Sequence, residues 1–200
     1  MLGPISNTIH GVVDFTLPML IISTVIMVSF RICYLLVNHK EIVIHKELSM
    51  YIFGIYILCL FQVVTFQDDV SWSTNNFIPF QEIMRYDITS RLFFKNVVGN
   101  MLMFLPFGFF TSYYLKSENI TLPLLLTLIA SISIELVQMS IGRVFDIDDI
   151  ILNLCGGSLG YLVYRISIRI SEKLPKFCHS DWFLNILSIL ILIGLIIIII

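Results

Sequence analysis

The stretch Trp182–Ile200 carries no charge, has no polar residue after Ser188, and ends in five consecutive isoleucines. A bilayer core takes roughly 20 mostly apolar residues per helix. Five more segments meet or approach that requirement: Thr16–Val37, Ser49–Phe66, Leu92–Leu115, Ile120–Ile141 and Ile150–Ile170. A 200-residue chain that is 58% apolar and 13% charged departs from the roughly 25% charge of soluble domains. It has no interior large enough to hide that apolar surplus. The fold predicted is all-α, a polytopic transmembrane helical bundle of about six spans. No basic cluster precedes the first apolar segment, so that segment is expected to be a retained span and not a cleaved leader. The four cysteines have no paired spacing, and Cys33, Cys59 and Cys155 sit in apolar runs as small hydrophobes. Neither disulfides nor metal thiolates are expected, and no cofactor or metal site is read from the sequence.

Lys and Arg predict orientation, because cytoplasmic loops hold their excess. Counting span ends in alternation, one side collects Arg31, Lys40, Lys46, Lys116, Arg165, Arg169, Lys173 and Lys176. The other collects Arg85, Arg91, Lys95 and Arg143. The first set is therefore expected inside, with both termini outside. The outer face then holds the loop Gln67–Arg91, the turn Ile141–Asp149, and the acids Asp68, Asp69, Glu82, Asp87, Glu135, Asp146, Asp148 and Asp149.

Three blocks stand out on that face. The loop carries Asn75-Asn76-Phe77-Ile78-Pro79-Phe80, with Trp72 just before it. This is either an anchor at the headgroup boundary or a lid over a site. The third span opens with Asn96-Val-Val-Gly-Asn100 and continues Phe104-Leu-Pro106-Phe-Gly108. Asn96 and Asn100 are four apart and share a helix face. Gly99 would permit close backbone approach, and Pro106 is expected to kink the helix. The amide pair is either interhelical glue or the lining of a polar pocket.

The third block joins Glu135 and Gln138 to Arg143, Asp146, Asp148, Asp149, Asn153, Gly156, Gly157 and Gly160. Asp146, Asp149 and Asn153 line up if a helix begins near Asp146. The acids also suit a helix N-terminus, where they would cap and start the fifth span. Glu135 is different: it lies about two turns inside an apolar segment, where an ionised group is costly unless paired or wetted. Arg143 is its candidate partner. Gly156 and Gly160 form a small-xxx-small face suited to packing.

Taken in order, these blocks resemble the VanZ-like family of bacterial membrane proteins. The pattern is Ile78-Pro79-Phe80, then Asn96-x-x-Gly99-Asn100-x-x-x-Phe104-x-Pro106-x-Gly108, Glu135-x-x-Gln138, and Asp146-x-x-Asp149-x-x-x-Asn153-x-x-Gly156-Gly157. It covers about residues 75–164. The resemblance implies a multi-pass protein of the bacterial plasma membrane, with a founding member associated with resistance to the glycopeptide teicoplanin. It brings no list of catalytic residues. On this reading residues 1–45 are an added helix and cytoplasmic loop, and residues 46–200 the VanZ-like membrane domain.

Two functions follow. In the first, the chain is not an enzyme. It binds or shields a cell-envelope lipid or lipophilic glycopeptide at the outer face, through Asn96, Asn100, Glu135, Gln138, Arg143, Asp146, Asp149 and Asn153. In the second, it is an embedded enzyme acting on a lipid-linked phosphate or glycan. Glu135, with Asp146 or Asp149, would then serve as acid/base pair or as oxygen ligands for a divalent ion. The four histidines lie far from this cluster in sequence or on the other side, and no H-E-x-x-H arrangement exists. A transporter relaying protons through Glu135 is a third class, disfavoured by the lack of internal symmetry. The partners expected are the bilayer and a lipid-linked wall intermediate or glycopeptide, with no nucleic acid.

Overall fold

The computed structural model describes the backbone of residues 3–65, 75–87 and 89–199, and side chains for 17–62, 75–87 and 89–190. Asp68, Asp69 and Trp72 lie outside the described residues. Six long helices follow one another: α1 (Gly3–Val37), α2 (Ile44–Thr65), α3 (Arg91–Leu115), α4 (Thr121–Ser140), α5 (Ile147–Ser171) and α6 (Asp181–Ile199). Each overlaps one of the six apolar segments, and among the described residues there is no strand, only an isolated bridge between Asn76 and Asp146. Leu17–Val37, Ile44–Gln62, α3, α4 and α5 are long and apolar enough to cross a membrane. The all-α bundle is thus present, and the chain is a multi-pass membrane protein.

Two compact units divide the chain: residues 1–59 with 170–200, and residues 60–169. In the first, Arg31 grips Glu47 with two N–H groups, at 2.7 and 2.8 Å, and so ties α1 to α2. The Asn185 amide oxygen accepts the backbone N–H of His45 at 2.9 Å, which ties α2 to α6.

The second unit holds α3, α4, α5 and the described part of the long loop. Its interior is unusually polar: Thr111, Ser112, Thr127, Ser131, Glu135, Gln138 and Asn153 are buried, while Leu102, Ile129, Leu136 and Leu162 face outward. Lipid tails give no hydrophobic drive for helices to associate, so small and polar residues hold such interfaces. Glycines set the spacing here. A Cβ on Gly108 would fall 2.0 Å from the carbonyl oxygen of Gly157, and one on Gly160 would fall 2.1 Å from that of Leu105. Helices α3 and α5 therefore meet backbone to backbone, and Gly156 and Gly160 pack as their spacing predicted.

Gly99 does not behave as its sequence context suggested. The nearest atom to a Cβ there is the Phe94 carbonyl oxygen at an ordinary 3.7 Å; the close approach belongs to Gly108, further along the same helix. Pro106 is carried inside continuous helix. Before it, Phe94–Val98 forms a π turn.

Candidate functional site

The polar residues of the second unit gather where α3 and α5 begin and α4 ends. Asp148, in the first turn of α5, is 1% exposed. Its Oδ1 accepts the N–H of Phe80 at 2.5 Å, and its Oδ2 those of Glu82 at 2.7 Å and Ile83 at 3.2 Å. One carboxylate thus satisfies three loop amides. A carboxylate accepting several N–H bonds is a strong hydrogen-bonded unit. It also holds Phe80 at φ 66°, a left-handed conformation unusual for an aromatic residue. Pro79, which has no N–H, needs no acceptor.

Asp146 works alongside it. Its Oδ1 accepts the Asp148 N–H at 2.9 Å, the bond expected of a helix N-cap. The same oxygen accepts the Asn76 amide at 2.8 Å. Backbone bonds complete the seam: Asn76 N–H to Phe145 O at 2.8 Å and Ile147 N–H to Asn76 O at 3.1 Å. Burial raises the Asp146 carboxyl above the ordinary aspartate range, partly offset by the N–H groups of Asp148 and Asn76 that favour its ionised form. The turn before α5 is shaped by Gly142 at φ 88°.

Glu135, 1% exposed on α4, accepts the Asp146 N–H on Oε2 at 2.9 Å. Arg143 attracts both Glu135 and Asp149 electrostatically. The Gln138 side chain is buried, and its backbone carbonyl accepts the Arg143 backbone N–H at 3.0 Å. On α5, Asp149 accepts the Asn100 amide at 2.5 Å, and Asn153 donates to Ser131 Oγ at 2.9 Å. Asn96 goes elsewhere, to the Tyr86 hydroxyl at 2.9 Å. It lies within the π turn, whose wider winding precedes Asn100. Asn96 and Asn100 thus serve different partners.

The structure therefore brings together Asn100, Glu135, Gln138, Arg143, Asp146, Asp149 and Asn153, and sets Asn96 against the loop through Tyr86. Sequence reasoning passed over Asp148, Asn76 and Ser131 as site members. A signal for Asp148 existed: a loop containing Phe80 and its neighbours must place its amides on some acceptor. Among the described residues no three His, Cys, Asp or Glu side chains are grouped to hold a metal ion.

What the seam holds up is apolar. Met84 is 81% exposed, Phe77 65% and Ile78 64%, and Phe77 stacks on Phe145 with ring centroids 5.3 Å apart. Arg85 and Glu82 form an ion pair at 2.9 Å beside them. The end of the unit is an exposed aromatic and aliphatic loop, fastened from below by carboxylates.

Comparison with known proteins covers the same stretch of chain. A model of the VanZ/LLP1 family matches residues 53–168, which contain the loop, α3, α4 and nearly all of α5. Protein VanZ of Enterococcus faecium is 32% identical over 76 residues, 37% of this chain and 47% of that relative. The chain thus matches about half the length of that curated relative. No solved structure matches it. With more than half of its length matched by the family model, the chain belongs to the VanZ/LLP1 family.

Proposed function

We propose that this protein binds or shields a lipophilic compound at the outer membrane face without transforming it. The compound would be a cell-envelope lipid or a lipophilic glycopeptide, and the outcome a contribution to teicoplanin-type resistance. The observation that carries this reading is how the carboxylates are used. Asp148, Asp146 and Glu135 accept N–H groups of the chain's own backbone, while Phe77, Ile78 and Met84 are turned outward. A general acid or base must reach a proton of its substrate; these groups instead hold a loop in place. Aromatic and aliphatic side chains at a helix-end loop suit the headgroup boundary, where one side is apolar and the other wet. Teicoplanin enters through the family resemblance alone. In this reading residues 1–45 are an addition to the family core.

The test is made in a glycopeptide-susceptible bacterial host that gains teicoplanin resistance from the chain. Combined Phe77→Ser and Ile78→Ser should return susceptibility to that of the host, with the protein still present in the membrane. Glu135→Gln and Asp149→Asn should leave the turnover of lipid-linked wall intermediates unchanged. Full resistance in the loop variant, with turnover lost in Glu135→Gln, would replace this reading with the embedded enzyme. In a host without a resistance phenotype, binding of teicoplanin to the protein in nanodiscs reads the same loop substitutions.

A further inference from the structure

Away from the loop seam, the same unit ends in the turn that joins α3 to α4. Lys116 closes α3 in a left-handed conformation at φ 48°, and the backbone carbonyl of Glu118 then meets α5. It accepts the Tyr161 hydroxyl at 2.7 Å and Arg165 Nη1 at 3.2 Å. These two bonds fasten the turn to α5 and hold Arg165 beside it. Arg169 follows one helical turn on. At a rise of about 1.5 Å per residue, the two arginines stand about 25–32 Å along α5 from Asp148, on the order of one hydrocarbon core. They therefore mark the second membrane boundary, which the excess of Lys and Arg predicts to be cytoplasmic.

Two observations separate this pair from an ordinary solvated fringe of charge. Glu118 meets Arg165 with its backbone carbonyl and not with its carboxylate, so the guanidinium keeps donors to spare. Among the described residues, no Asp or Glu forms an ion pair with Lys116, Arg165 or Arg169. The second observation is what precedes the arginines on their helix. Leu159, Leu162 and Ile166 are 41%, 52% and 46% exposed, and they recur with Arg165 and Arg169 at the spacings that share a helix face. One stripe of α5 thus passes from apolar side chains within the bilayer to two arginines at its boundary.

A phospholipid has the same order, an acyl chain and then a phosphate. The planar fork of arginine matches phosphate oxygens with paired hydrogen bonds, and basic sites on membrane-spanning helices take anionic headgroups. A choline headgroup would add a cation where two already stand. We infer that Arg165 and Arg169 bind the headgroup phosphate of one anionic phospholipid, whose acyl chain lies along Leu159, Leu162 and Ile166. The site is at the opposite end of the unit from the loop and does not rest on the function proposed for that loop.

The test uses the full-length protein in detergent. Its thermal midpoint is followed against added dioleoylphosphatidylglycerol, dioleoylphosphatidylcholine or inorganic phosphate. Phosphatidylglycerol should raise the midpoint saturably, as a ligand of the folded state does, and the other two should not. Arg165→Gln and Arg169→Gln should each raise the half-saturating concentration by about tenfold. Lys173→Gln combined with Lys176→Gln removes at least as much charge from the same predicted side, and should leave that concentration within about twofold. An equal loss in the lysine variant would mean diffuse charge and overturn the inference. So would an equal response to phosphatidylcholine, which needs only acyl contact, or to inorganic phosphate, which needs no lipid. No response to phosphatidylglycerol overturns it as well. Should Arg165→Gln fail to fold, substitution of the exposed Arg169 decides between these outcomes.

Discussion

At the residue scale the acids at this helix end divide by task, and the division runs between neighbours. Asp148 faces the loop and Asp149 faces Asn100 on α3. Sequence periodicity identified Asp149 because it shares a face with Asn153. It could not rank Asp148, whose partners are backbone amides of a loop that has no periodicity. Asp148→Ala removes the acceptor of three part-buried loop N–H groups. Hydrogen bonds to charged groups contribute roughly 1.5–3 kcal/mol each, and not additively, so a loss of about 3 kcal/mol is expected. Limited proteolysis within residues 77–85, alongside the thermal midpoint, reads it. Asp146 gives a pH signature. Its folded-state carboxyl is raised by burial, so the folded chain holds that proton more tightly than the unfolded chain. The contribution is fully present below the unfolded value and is lost as pH rises through the folded one. Asp146→Asn should therefore flatten the fall in stability with rising pH that starts above about 3.8; an unchanged pH profile would count against this assignment.

At the scale of the elements, the six helices were legible because apolar runs of bilayer length leave little choice of structure. Their interior contacts were only partly legible. Gly156 and Gly160 announced themselves by spacing, yet Gly99 and Gly108 look alike in the sequence. Only the crossing of α3 with α5 distinguishes them, a long-range fact that no local pattern contains. The same holds for the π turn at Phe94–Val98, which parts Asn96 from Asn100 despite their helical spacing. The glycines can be compared directly. Gly108→Ala puts a Cβ 2.0 Å from the Gly157 carbonyl oxygen. Prying the helices apart should cost about 3 kcal/mol or more, seen as loss of the monodisperse peak on size exclusion. Gly99→Ala meets nothing closer than 3.7 Å and gains up to about 1 kcal/mol of helix propensity, so it should leave stability equal or higher.

At the scale of the whole molecule, the family match over residues 53–168 and the second compact unit at residues 60–169 cover nearly the same stretch of chain. The stretch that the family model matches contains a polar-cored bundle that fastens an apolar loop at one end. The excess of Lys and Arg at the opposite helix ends predicts that this end faces outward. In the proposed reading, an outward loop bearing the exposed Phe77, Ile78 and Met84 would meet lipids and lipophilic compounds from outside before any buried carboxylate. The most direct test places a photoactivatable side chain at Met84 in the intact cell membrane and adds teicoplanin from outside. We expect a covalent teicoplanin or envelope-lipid adduct at position 84 that Asp148→Ala abolishes by releasing the loop. No adduct at all, or one that persists undiminished in Asp148→Ala, would contradict the account.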